Sequence, residues 1–170
     1  VRSNQPPSNR NFDEPVQFLI REFYLALHNG NIEASVDLLR RIEATGRISA
    51  LNLLFLKVER LARFKHWDQL EQLEEFEDLA VRQRPRRISE NLLAALWHTR
   101  ISSRNVDEPA VIRNRFHEIG VAAGYAHLLG AIDVPASFEA RCVVALFCQE
   151  TDDPDRLARV IASATQAEGE

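Results

Sequence analysis

The chain has 170 residues, of which 45% are hydrophobic, and its formal net charge at pH 7 is −4. This length and apolar content suit one domain with a continuous core and leave too little chain for two domains of ordinary size. The mild acidity excludes a general attraction to nucleic acid or anionic lipid, so binding of either would need a local basic patch.

The composition favours helix over sheet. Proline and glycine are sparse, at 7 and 6 residues, while Leu, Ala, Glu and Arg are abundant. The sequence has no run of about 18 apolar residues and no apolar core near its N-terminus, so it supports neither a membrane span nor secretion. Cys142 and Cys148 are six residues apart on one predicted helix and point in different directions, so we expect reduced thiols in a cytoplasmic protein.

The first residues have the composition of a linker. The chain begins at Val1 and contains no methionine, so either the initiator region was removed or the chain is a piece of a longer protein. Pro6, Pro7 and several Ser, Asn and Arg residues favour the second explanation. We expect residues 1–12 to be a disordered linker or tail, 13–165 to form a single helical-repeat domain, and 166–170 to fray.

The spacing of apolar residues predicts eight helices in chain order. Their expected ranges are 14–28, 31–45, 48–64, 67–83, 89–101, 109–129, 137–150 and 153–165. The third is apolar over most of its circumference and should be the least exposed element. Ser89 is expected to cap the fifth helix. Gly120, Ala123 and Gly124 lie within the sixth, where small residues indicate that another helix approaches closely.

The sequence of the first four predicted helices indicates two copies of one two-helix repeat. At an offset of 35 residues, apolar positions coincide, as for Leu19 with Leu54 and for Ile32 with Trp67. A polar break separates the helices of each pair, at 29–31 and at 65–66. One helical hairpin cannot bury its own apolar face, so such a period is typical of stacked hairpins. The sequence therefore predicts an all-α fold in which antiparallel hairpins stack as a short α-solenoid.

Residues 14–120 resemble tetratricopeptide-type or related α-solenoid repeats. The residues that carry the resemblance follow the two breaks: Ile32 and Trp67, then Glu33 and Asp68, then Val36 and Leu70. The resemblance implies a scaffold that binds other proteins. It assigns no binding residue to a numbered position.

The fourth predicted helix carries an acidic stripe. Glu71, Glu74, Glu75 and Asp78 follow the spacing i, i+3, i+4, i+7 and would share one helical face. Such a face is either simply solvated or a docking surface for a basic partner. Trp67 lies nearer this stripe than the apolar side of the helix, and an exposed tryptophan would anchor an interface. Alternatively, Trp67 folds back onto Phe64 or the third helix.

Four arginines follow the acidic stripe and give the alternative function. Arg82, Arg84, Arg86 and Arg87 suit phosphate binding, and Arg100, Arg104, Arg113 and Arg115 could extend this set. Some of these cations are also expected simply to offset the carbonyls at a helix C-terminus. No aromatic residue interleaves the cluster, and no nucleic-acid motif surrounds it.

Signals of catalysis are close to nil. The five histidines lack metal-ligand spacing, and His117-Glu118 lacks the second histidine that a zinc-binding helix needs. No phosphate-binding loop or nucleophile motif is present in the sequence. We therefore expect no enzymatic activity, no catalytic residue, no metal and no cofactor.

The sequence leads to a protein–protein interaction or assembly module within a larger cytoplasmic protein. The expected partner is another protein with a basic surface, contacted by Trp67, Glu71, Glu74, Glu75 and Asp78. The alternative is a nucleic-acid-binding accessory domain that uses Arg82, Arg84, Arg86 and Arg87. Self-association through the seventh and eighth helices is also open, because the end of a stack leaves apolar side chains uncovered.

Overall fold

A computed structural model describes residues 15–102 and 108–167. Its described residues form helices and no strand, which confirms the all-α prediction. The helices are α1 Val16–His28, α2 Ile32–Ala44, α3 Ala50–Arg63, α4 Trp67–Glu71, α5 Phe76–Val81, α6 Arg86–Leu96, the π-helix Trp97–Ile101, α7 Pro109–Glu118, α8 Val121–Gly124, α9 Ala126–Gly130, α10 Phe138–Glu150 and α11 Pro154–Ala167. Within these ranges no helix combines the length and apolar character needed to cross a membrane.

The chain divides into two compact units, Val1–Leu53 and Leu54–Glu170. The described part of the first unit is built on the α1–α2 hairpin. Phe23 on α1 and Ile42 on α2 are fully buried. Asn31 caps α2, since its side-chain oxygen accepts from the Ala34 amide at 3.0 Å. The ends of both helices lie close to those predicted, because their stop and start signals are local.

The core of the second unit surrounds α6, which contacts α4, α5, α9 and α10. Seven of its eleven residues are buried, including Ile88, Leu92 and Leu96. The prediction that the third helix would be the least exposed is therefore wrong. In α3, by comparison, only Leu56, Val58 and Leu61 are buried.

The fourth and sixth predicted helices are each interrupted. Residues 72–75 separate α4 from α5, so the helix expected over 67–83 is two short ones. The helix expected over 109–129 is three, because Gly120 takes a left-handed conformation (φ +64°) that ends α7, and Tyr125 separates α8 from α9.

The expected close approach at the small residues is also wrong. A Cβ atom placed on Gly120 or Gly124 would have no atom of another segment within 4 Å. The physical role of Gly120 is its positive φ, which lets the chain turn between α7 and α8.

Several helix boundaries differ from the sequence prediction, while others match it. The fifth predicted helix begins at Arg86, so Ser89 is buried inside α6 and does not cap it. By contrast, Ser137 caps α10 by accepting from the Ala140 amide at 3.3 Å, and α10 ends at Glu150 as predicted. The predicted tail 1–12 lies outside the described residues.

The two hairpin breaks have the same backbone structure. Gly30 and Lys65 are 35 residues apart, and both are left-handed, with φ of +70° and +57°. After α1, the Asn31 amide donates to the Ala26 carbonyl at 2.9 Å; after α3, the His66 amide donates to the Leu61 carbonyl at 2.9 Å. These are matching Schellman caps. They agree with the 35-residue offset, although membership of a repeat family stays a prediction.

Candidate protein-interaction surface

The acidic residues do not share one helical face. Glu71 is the last residue of α4, Glu74 and Glu75 lie in the connection, and Asp78 belongs to α5. The stripe predicted from i, i+3, i+4, i+7 spacing is therefore wrong as a helical feature. We call residues 71–78 the acidic segment; it carries five carboxylates, since Glu77 joins the four that were predicted.

Two of the five carboxylates are held from within the protein by the π-helix and the α8–α9 junction. Arg100 donates two hydrogen bonds to Glu71, through Nε at 3.0 Å and through Nη2. Glu77 accepts from the hydroxyl of Tyr125 at 2.6 Å and lies 3.6 Å from Arg100. The guanidinium of Arg100 also lies over the Tyr125 ring, 5.4 Å from its centroid. These contacts fix both ends of the α4–α5 connection.

The same network shifts the pKa values of its members. Burial lowers the pKa of Arg100, but the hydrogen bonds that it donates to Glu71 and the nearby charges raise it more, so the pKa lies above its ordinary value. Burial, followed by the hydrogen bond to Glu77, raises the pKa of Tyr125 well above its ordinary value. At neutral pH Arg100 is therefore a cation and Tyr125 a neutral donor.

Glu74 and Glu75 carry the unneutralised charge of the acidic segment. Both side chains are exposed, and neither forms a hydrogen bond or ion pair with the described part of the chain. Asp78 is exposed but accepts from Arg82 at 2.6 Å. Phe76, next to Glu75, is 1% exposed and packs edge-on against Tyr125. A buried anchor thus holds two free carboxylates at the surface.

Trp67 lies in the first turn of α4, and its aromatic contact is with His98 and not with Phe64. Its ring stacks on His98 of the π-helix, with centroids 4.9 Å apart and planes at 12°. His98 in turn lies 3.4 Å from Glu139 of α10. Trp67 is partly buried, so the structure leaves only part of its ring to a partner.

The four arginines of the alternative site each already have a partner within the protein. Arg82 binds Asp78, Arg86 binds Glu90 at 2.9 Å, and Arg87 binds Glu59. The acidic partners offset the positive potential that phosphate binding would use.

Arg84 is occupied by the backbone. Its Nη1 donates to the carbonyls of Leu79, Ala80 and Arg82 at 2.8, 3.1 and 2.5 Å. It thus serves the C-terminal end of α5, as expected for a cation near a helix terminus. Burial lowers the pKa of Arg84.

The wider arginine set is similarly dispersed. Arg100 binds Glu71, and Arg115 donates to the Ile101 carbonyl at 3.3 Å. Arg104 lies outside the described residues. The nucleic-acid function stays a prediction.

The sequence did not predict that Tyr125, Glu77 and His98 contribute to this surface. It placed Arg100 in the nucleic-acid alternative instead of beside Glu71. Arg100 and His98 belong to the π-helix, where one extra residue per turn changes the direction of every side chain that follows. Tyr125 and Glu77 are 48 residues apart, so no short-range spacing could have paired them.

The described residues contain no group of three or more His, Cys, Asp or Glu side chains that could hold a metal ion. Both cysteines are free; Cys148 is buried and Cys142 is partly buried. Burial raises the pKa of each thiol, so both are poor nucleophiles at neutral pH.

Together, the fold and this surface define an all-α protein with an acidic segment held by an internal arginine–tyrosine network. The sequence model of the DpdD-like family matches residues 1–169, and the chain belongs to that family. No curated protein and no solved structure matches the chain.

Proposed function

We propose that this chain is a protein-interaction module, part of a larger cytoplasmic protein, and that its acidic segment binds a basic surface of a partner protein. The observation that carries the proposal is the pair of exposed carboxylates, Glu74 and Glu75, without partners in the described chain. The all-α fold and the matching hairpin breaks at Gly30 and Lys65 are in keeping with a helical scaffold.

The fixed geometry of the segment favours binding. Because Glu71 and Glu77 are hydrogen-bonded and Phe76 is buried, the backbone between them loses little conformational freedom when a partner binds. A preorganised acidic surface raises the association rate of a basic partner and selects against acidic ones, including nucleic acid. The exposed part of Trp67 would add apolar contact area.

Charge reversal tests the proposal. The double variant Glu74→Lys/Glu75→Lys changes residues without internal partners, so it should leave the fold intact. The matched control, Glu108→Lys/Glu118→Lys, alters the net charge equally at exposed positions on and just before α7. In affinity purification from the native cell, the wild-type chain should bind a set of basic proteins. The Glu74→Lys/Glu75→Lys variant should lose these proteins, and the control variant should retain them.

The proposal fails if both variants retain the same set of bound proteins while their unfolding temperatures equal that of the wild type. Salt dependence gives a second check, because a complex steered by charge should form more slowly as ionic strength rises. A partner whose association rate is independent of salt would contradict the role of the acidic segment.

A further inference from the structure

A second surface feature lies apart from the acidic segment, between α7 and the α10–α11 junction. It is a cleft of about 520 Å³. A smaller recess of about 230 Å³ adjoins it and shares Arg113, Leu146 and Gln149 with it. The larger volume falls in the range of small-molecule sites, which are about 300–1,000 Å³.

The described residues at the base of the cleft are apolar. Phe116 of α7 is 1% exposed and belongs to the core, while Leu146 and Leu157 are partly buried and pack against that core. Trp97 lines the adjoining recess. An apolar group that entered here would cover Leu146 and Leu157, which still expose part of their surface to water, and burial of that surface would favour binding.

The rim of the cleft is acidic. Glu150, Asp152 and Asp153 line it where α10 ends and α11 begins, so the opposite partial charges of the two helix ends offset each other and the carboxylates set the sign of the rim. Glu150 lies 3.1 Å from His117, and Asp153 accepts from the Arg156 amide at 3.1 Å. Asp152 is exposed and has no hydrogen bond within the described chain.

The charges of the lining residues determine whether the cleft favours a cationic or an anionic ligand. Three carboxylates and two basic side chains, Arg113 and His117, are among the described lining residues, so the acidic groups outnumber the basic ones and an organic cation is favoured over an anion. The carboxylates cluster at one end of α10, which leaves the apolar base free for an uncharged part of the same ligand.

We propose that this cleft binds a small organic cation with an apolar body, of the aryl- or alkylammonium class. Its apolar body packs on Phe116, Leu146 and Leu157, and its ammonium group pairs with Asp152 and Glu150. The site is independent of the acidic segment, so it adds a ligand-binding function to the proposed interaction function.

The test compares three probes of the same shape: 4-phenylbutylammonium, 4-phenylbutyrate and 4-phenylbutanol. Trp97 reports binding by its fluorescence in a Trp67→Phe background, which leaves one tryptophan in the chain and keeps a ring against His98. We expect saturable binding of the ammonium with a Kd on the order of 1 mM or tighter, as its size implies. The carboxylate should bind at least about tenfold more weakly.

Substitutions at the rim separate charge from shape. Asn tolerates the left-handed conformation that Asp152 adopts (φ +54°), so Asp152→Asn removes the charge without straining the backbone. It should weaken binding of the ammonium probe about threefold and leave the affinity for the alcohol unchanged, as expected for a partly exposed charge pair. The control is Asp155→Asn, an exposed residue of α11 that does not line the cleft.

Two results would overturn the proposal. One is the absence of a saturable signal both in Trp97 fluorescence and in amide chemical shifts of α7 and α10. The other is equal affinity for the ammonium and carboxylate probes in a protein whose unfolding transition is unchanged.

Discussion

Lys65 adopts a left-handed backbone conformation that favours glycine. It is the left-handed residue after α3, in the same cap that Gly30 forms after α1. The left-handed conformation costs a residue with a Cβ atom about 1–2 kcal/mol. Glycine avoids this cost but gains freedom in the unfolded chain worth roughly 0.5–1 kcal/mol. Lys65→Gly should therefore stabilise the protein by about 0.5–1 kcal/mol.

The reciprocal change tests the same physics at the other break. A Cβ on Gly30 would meet nothing within 4 Å, so Gly30→Ala acts only through the backbone. It should destabilise by about 1 kcal/mol. Lys65→Ala is the control for loss of the exposed lysine side chain, and it should have almost no effect because it keeps the Cβ.

Urea denaturation measures both effects. Trp67 and Trp97 lie in the second unit, so tryptophan fluorescence follows Lys65, while far-UV circular dichroism follows Gly30. Thermal unfolding gives a second measurement, in which each kcal/mol corresponds to roughly 2–4 °C in Tm for a chain of this size. Stabilisation by Lys65→Ala equal to that by Lys65→Gly would refute the reasoning, because the gain would then come from the side chain and not from the backbone.

Three further predictions concern buried groups and the arginines. Arg156→Met should destabilise the protein by about 3 kcal/mol, because it removes the buried donor to the carbonyls of Leu129, Ile132 and Asp133. The control Arg159→Met removes only an exposed partner of Asp133 and should change the urea midpoint little. Because the pKa of Tyr125 is raised in the folded state, the stability that the neutral phenol contributes is complete below the unfolded pKa of about 10 and is lost as pH rises towards the folded pKa. The urea midpoint should therefore fall less above about pH 10 for Tyr125→Phe than for wild type. A labelled oligonucleotide should show no anisotropy change with the protein at low salt, because the four arginines at 82–87 have internal partners; salt-dependent binding that is lost in Arg86→Ala/Arg87→Ala would restore the nucleic-acid function.

The parts of the fold that local chemistry decides could be predicted from the sequence. The ends of α1, α2 and α10 follow from glycine, asparagine and serine within a few residues of each boundary. The break between α4 and α5 was missed, because residues 72–75 contain neither glycine nor proline. A physical signal was nonetheless present: like charges at i and i+4, such as Glu71 with Glu75, destabilise a continuous helix.

The candidate surface depended on contacts that no short-range pattern contains. Glu71 and Arg100 are 29 residues apart, and Arg100 lies in a π-helix, whose side-chain directions differ from those of the α-helix that was predicted there. The left-handed Gly120 was a readable stop signal, but the apolar spacing that continues through it favoured one long helix. Periodicity thus predicted that these segments are helical more reliably than where each helix ends.

The π-helix connects the core to the acidic segment. Ile101, its last residue, is buried in the core, while Arg100 beside it reaches Glu71 and the Tyr125 ring. Arg100 donates to Glu71 and Tyr125 donates to Glu77, while Glu74 and Glu75, which lie between these two in sequence, remain exposed. Replacing Arg100 by lysine would keep the charge but lose the two-pronged bond to Glu71, so the position of Glu74 and Glu75 would become less defined while the net charge stayed the same. A partner that recognises charge alone would bind such a variant normally, whereas a partner that recognises the fixed geometry of the segment would bind it more weakly.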